Sequence, residues 1–129
     1  MQGLLLFCHG ARDPEWARPF EAVAAGIRAA QPGLLLELAF LEFMTPELAT
    51  AAARLVAAGC DDIHMVPLFL GAGGHVRRDV PALLQTLRAE HGPAVRWHLH
   101  APIGEQAAVV QAMVATSLAL LPNAPGAPE

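Results

Sequence analysis

The 129-residue chain contains no lysine. That absence removes a Schiff-base amine and the phosphate-binding lysine of a P-loop together. Basic residues are few: 8 arginines stand against 12 acidic residues, for a net charge of −4. They are scattered rather than gathered into the basic stripe that nucleic-acid binding uses, so no nucleic-acid partner is expected. Cysteine is scarce as well. Cys8 and Cys60 form no CxxC pair and each neighbours an apolar run, so both are expected to be reduced, buried thiols. No apolar run is long enough for a membrane span. The longest uncharged stretch, Gln106–Pro128, is interrupted by Gln111, Thr116 and Ser117 and falls short of the roughly 20 apolar residues required. No positive segment precedes Leu4–Phe7, so no secretory leader is expected and the chain is read as cytoplasmic. A chain that is 54% hydrophobic and 16% charged is globular rather than disordered, and at this length it forms one domain.

What the sequence does contain alternates regularly. Gly3–Cys8 is a continuous apolar run, as in a strand buried on both faces. Asp13-Pro14 supplies a helix cap with proline at the first helical position, and Trp16, Phe20, Val23 and Ile27 recur at helical spacing as far as Gln31-Pro32-Gly33. Leu34–Leu41 reads as a second strand. Thr45-Pro46 repeats the cap-and-proline start of a helix that closes at Gly59. Asp62–Phe69 is a third strand, and Asp79 caps a helix that runs to about His91 and ends at Gly92. Val95–Leu99 is a fourth, weaker strand, followed by a last helix from about Gly104 to Leu121. Residues 1–121 are thus expected to form a single domain, and residues 122–129 a disordered proline-rich tail.

Four strand–helix units with short connections and right-handed crossovers predict a doubly wound α/β domain with a four-stranded parallel sheet. The flavodoxin-like order 2-1-3-4 is the natural arrangement. It sets strands 1 and 3 side by side at the switch point, where ligands bind outside the carboxyl ends of the strands. His9 follows strand 1 and His75 follows strand 3, each beside glycine in a loop. Glu42 ends strand 2 beside strand 1. With strands about 4.8 Å apart, all three side chains are within reach of one small ligand or metal ion. Two imidazoles and a carboxylate with open positions suit borderline divalent metals such as cobalt, nickel, zinc and iron(II), and hold them loosely enough for release.

Gly71-Ala72-Gly73-Gly74-His75-Val76 is not a dinucleotide fingerprint, because valine replaces the last glycine and the loop follows strand 3. Its Gly73 and Gly74 are candidate substrate contacts through backbone N–H groups. Arg12, Arg77 and Arg78 flank the histidine motifs and point to an anionic substrate, since guanidinium pairs bidentately with carboxylate or phosphate. His64 falls early in strand 3 and reads as a core or partly buried residue, and His91 sits in a last helical turn where a cation suits the dipole. His98 and His100 share a face of strand 4, as an accessory metal site or, more simply, a polar edge-strand face. The last helix is apolar on too many sides for one stripe, which leaves two readings: a well-buried helix or a subunit interface.

The run Leu6-Phe7-Cys8-His9-Gly10-Ala11-Arg12-Asp13-Pro14, then Phe40-Leu41-Glu42, then Val66–Leu70 leading to Gly74-His75-Val76 and Asp79-Val80-Pro81, resembles the small CbiX-type sirohydrochlorin chelatases. These are class II, ATP-independent relatives of ferrochelatase. The resemblance covers residues 3 to about 105, with Ala11 standing where serine is common. It implies a homodimer equivalent to the two halves of longer chelatases, no nucleotide, and the insertion of a divalent metal into sirohydrochlorin. Cobalt is the metal of the family's commonest role, with nickel or iron as alternatives. The histidines matching His9 and His75 would serve metal delivery and proton removal, with Glu42 assisting. The polycarboxylate tetrapyrrole would engage Arg12, Arg77 and Arg78. Two other readings stand beside it: a non-catalytic metal or tetrapyrrole carrier, and a mannose-type phosphocarrier domain phosphorylated on His9.

Overall fold

The computed structural model describes residues 1–71 and 73–123, with His75 described by its backbone alone. Ala72 of the glycine loop and residues 124–129 of the expected tail lie outside the described residues. Strands β1 (Gln2–Cys8), β2 (Leu35–Phe40), β3 (Asp62–Pro67) and β4 (Arg96–Leu99) form one sheet in the order β2-β1-β3-β4. Every neighbouring pair is parallel, and Leu6 of β1 lies between Leu38 of β2 and Val66 of β3. This is the order read from the sequence.

Helices α1 (Arg18–Ala30), α2 (Leu48–Ala57), α3 (Gly74–His91) and α4 (Ala107–Ala119) follow the four strands in turn. Strand side chains alternate between faces, so each strand feeds two cores. On one face Leu5, Phe7, Ile63, Met65 and Trp97 pack with Ala51, Ala52 and Leu55 of α2 and Val80, Leu84 and Leu87 of α3. On the other face Leu6 and Leu36 pack with Ala24 of α1, with Leu4, Ile27, Leu38 and Val66 at the margin.

Both cysteines are free and buried, as expected from their neighbours. The Cys8 thiol donates weakly to the Ala39 carbonyl at 3.7 Å. Burial pushes Cys8 up to about 12 and raises Cys60 as well. Because the thiolate is the nucleophile, neither thiol should react appreciably with iodoacetamide in the folded chain near neutral pH. Both should be labelled fully after denaturation. Rapid native labelling of Cys8, read by mass spectrometry, would contradict its place in the core.

Four helix boundaries differ from the sequence expectation. The first helix opens with a 3-10 turn, Pro14–Ala17, capped by Asp13, whose carboxylate accepts from the Glu15 N–H at 3.0 Å. Thr45-Pro46 does not start α2. Its peptide bond is cis, and the Pro46 carbonyl accepts from Phe40 N–H at 3.0 Å, so this segment prolongs the sheet edge and α2 begins at Leu48. Asp79 does not cap α3, which begins five residues earlier at Gly74 with Gly73 as its N-cap and Pro81 in its interior. The last helix is preceded by a separate 3-10 turn, Ile103–Glu105.

That turn is anchored tightly. Gly104 N–H donates to the Phe69 carbonyl at 2.9 Å, and a Cβ at Gly104 would lie 2.2 Å from the Leu70 carbonyl oxygen. Helix α4, by contrast, buries none of its residues. Val114, Leu118 and Leu121 are about half exposed, which corrects the reading of a well-buried helix.

Candidate functional site

The carboxyl ends of β1 and β2 are held together beyond the strands proper. Leu41 N–H donates to the Cys8 carbonyl and Glu42 N–H to the His9 carbonyl, both at 2.9 Å. This continuation of the ladder depends on Gly10. Its φ of +93° lies where L side chains are strained, and a Cβ there would fall 1.8 Å from the Glu42 carbonyl oxygen. Only glycine lets the two loops approach so closely.

His9 is exposed and stacks on Phe69, just past β3, with ring centroids 4.2 Å apart. The stack ties the β1 histidine to the neighbouring β3 loop at the switch point. His9 and Glu42 line one cavity of about 440 Å³ together with Leu41 and with Val76, Asp79, Val80, Leu83 and Thr86 of α3. Apolar walls with a few convergent polar groups are the usual make-up of a small-molecule site.

His75 is the second residue of α3 and not a loop residue, which corrects the sequence expectation. Its side chain lies outside the described residues. Val76, Val80 and Leu83 are spaced by 4 and 3 residues along the same helix, so one face of α3 forms the cavity wall. Asp79 and Thr86 are lining residues that sequence reasoning missed. With α3 started at Asp79, the 76–79–80–83 pattern is cut in two and cannot be seen.

The three arginines are dispersed around this region. The Arg12 guanidinium lies over the Phe43 ring at 4.9 Å, on the β1 and β2 loops. Arg77 borders a smaller cleft of about 130 Å³ with Phe69, Leu99 and Pro102, and Arg78 is exposed on α3. Among the described residues, a Cβ at Gly73 or Gly74 would meet nothing within 4 Å. On the other side of His9, an apolar groove of about 550 Å³ is lined by Leu6, Phe20, Val23, Ile27, Leu68 and Leu70, among others. His9 therefore stands between two cavities.

Three other histidines gather elsewhere, while His91 packs against Trp97 with ring centroids 5.6 Å apart. His64 of β3 and His98 of β4 are partners in register, their rings stacked with centroids 4.4 Å apart, and His100 follows β4. The partial burial expected for His64 is observed.

A family model described as CbiX matches residues 3–118. A sirohydrochlorin cobaltochelatase of Saccharolobus solfataricus is 42% identical over 88 residues, which are 65% of this chain and 64% of that protein. One of Sulfolobus acidocaldarius is 39% identical over 85 residues, covering 66% of this chain and 68% of that protein. The chain thus spans just under two thirds of the first of these curated relatives. Among solved structures, a putative cobalamin (vitamin B12) biosynthesis CbiX protein from Marinobacter aquaeolei superposes with a TM-score of 0.78 at 33% identity, over 91% of this chain and 94% of that one. The sirohydrochlorin chelatase SirB from Bacillus subtilis, in complex with cobalt, gives a TM-score of 0.78 at 27% identity, over 92% of this chain and 50% of that one.

Proposed function

The chain belongs to the CbiX family, and on that premise we propose that it inserts a divalent metal ion into sirohydrochlorin without nucleotide hydrolysis. Cobalt is the first candidate metal, since the curated relatives carry cobaltochelatase names. Nickel and iron(II) share the same ligand preference for imidazole. The observation that carries the reading is the pairing of His9 with Glu42. The two are joined by a backbone hydrogen bond beyond the ends of β1 and β2 and line one cavity with the first turns of α3.

Insertion replaces two pyrrole N–H protons by one M²⁺, and both protons leave for bases or solvent. His9, His75 and Glu42 are assigned to hold the incoming ion and to accept those protons, because imidazole does either near neutral pH. Phe69 fixes the plane of the His9 ring by stacking on it. The apolar walls formed by Leu41, Val76, Val80 and Leu83 suit a macrocycle face. Arg12, Arg77, Arg78 and the backbone of Gly73 and Gly74 are assigned to the peripheral carboxylates.

The working unit in this reading is a cytoplasmic homodimer. Its support is that this chain matches only half of SirB's length while nearly all of itself is aligned, and that α4 leaves its apolar surface uncovered. No helix among the described residues is long and apolar enough to cross a membrane. Residues 1–121 are read as the domain and 122–129 as its tail.

The test is anaerobic absorbance spectroscopy of sirohydrochlorin with cobalt(II), nickel(II) or iron(II), with and without the protein. Faster appearance of the metallated spectrum supports the reading and ranks the metals. Tight tetrapyrrole binding without acceleration replaces it with a carrier.

A further inference from the structure

We propose a second divalent-metal site, built from Asp62, His64 and His98 on the open face of β3 and β4. It owes nothing to the His9 cavity. His64 pairs in register with Leu4, five residues before His9, so the cluster lies roughly 16 Å down the strands from it. The periodicity of β3 and β4 creates the cluster. Asp62 and His64 share one face of β3, and the register sets His98 beside His64 on that same face. Buried parallel sheets normally carry apolar residues on both faces. Here α1 packs on β2 and α4 on the Ile103–Glu105 turn, so the polar side chains at this corner stay accessible. Side-chain exposure is 17% for Asp62, 32% for His64 and 44% for His98, enough for an ion to enter.

The donor atoms are already converged. His98 Nε2 lies 2.6 Å from Asp62 Oδ1, and His64 Nε2 lies 3.9 Å from Asp62 Oδ2. One donor from each of the three residues falls within 4.8 Å of the others. An ion with bonds of about 2.0–2.2 Å sets tetrahedral donors roughly 3.3–3.6 Å apart, between the two observed separations. Small side-chain rotations close the remaining gap.

His100 completes the arrangement without binding the ion. Its Nε2 lies 2.8 Å from His64 Nδ1. With His64 Nε2 facing the ion, Nδ1 carries the hydrogen and donates it to His100, which is how the far nitrogen of a metal-bound histidine is normally oriented. Two imidazoles and one carboxylate with open positions select cobalt, nickel, zinc or iron(II) over calcium or magnesium.

Equilibrium dialysis of the full chain against cobalt(II), without tetrapyrrole, tests this. In a His9→Ala/Glu42→Gln background one equivalent of cobalt should remain bound, and adding His98→Gln should weaken it by about tenfold or more. In the otherwise wild-type chain, His98→Gln or His64→Gln should each lower the bound cobalt by one equivalent, whatever happens at His9. No retained cobalt in the double variant overturns the site, as does unchanged binding in both the His98→Gln and His64→Gln proteins. Chelatase activity enters none of these readouts, so the site fails or stands apart from the proposed reaction.

Discussion

Replacing His9 by alanine is expected to slow cobalt insertion into sirohydrochlorin by at least about 100-fold, at the low end of what a positioned proton acceptor contributes, and more if the same ring also holds the ion. In barrier terms a 100-fold loss is about 2.7 kcal/mol. The fold should survive. His9 is exposed beyond the end of β1, and its ring stacks on Phe69, a contact worth about 0.5–1.5 kcal/mol when such pairs are deleted. The Glu42–His9 hydrogen bond runs through the backbone and is retained in the variant. Initial rates of metallation, read with circular dichroism of the same samples, separate lost chemistry from lost structure. Wild-type rates from a folded His9→Ala protein would move the chemistry away from the β1 end altogether.

The second large effect is structural and falls one residue later. Gly10→Ala must place a Cβ 1.8 Å from the Glu42 carbonyl oxygen and 3.0 Å from its carbon, at a φ of +93°. The left-handed backbone alone costs an L residue about 1–2 kcal/mol, and relieving the overlap parts the β1 and β2 loops, so a total loss of about 2–4 kcal/mol is expected. Parting the loops also carries Glu42 away from His9, and activity should fall with stability. Gly26→Ala makes the contrast. Gly26 lies inside α1, where a Cβ meets nothing within 4 Å, and alanine there should stabilise by about 0.5–1 kcal/mol. Urea midpoints of the two variants check the pair. A Gly10→Ala midpoint equal to wild type would mean that the two loops do not need this contact.

The strand order is legible in the sequence because four apolar runs separated by capped helices leave few ways to wind a small parallel sheet. The position of His9 follows from that order, and so does its nearness to Glu42, since β1 and β2 are neighbours in it. The start of α3 is not legible. Gly71–Gly74 has the composition of a loop, and Asp79 followed by Pro81 imitates a helix start, although Pro81 sits inside a continuous helix. That one misplaced boundary hides Val76, Asp79, Leu83 and Thr86 from the site and puts His75 in a loop. Helix α4 illustrates a different limit. An all-round apolar surface reads equally as burial or as a subunit interface, and among the described residues nothing buries it. The Asp62–His64–His98 cluster depends on the β3–β4 register, which no single-strand pattern contains. The sequence shows that His98 and His100 share a face, but not that His64 stands opposite His98 with Asp62 two residues away on the same face.

Cobalt-edge anomalous diffraction from crystals grown with saturating cobalt(II) bears most directly on the assignment of His9, His75 and Glu42 to the metal. A cobalt peak about 2.1 Å from a ring nitrogen of His9, inside the cavity shared with Glu42 and α3, is the expected result. Cobalt bound elsewhere, with none in bonding reach of His9, would contradict it.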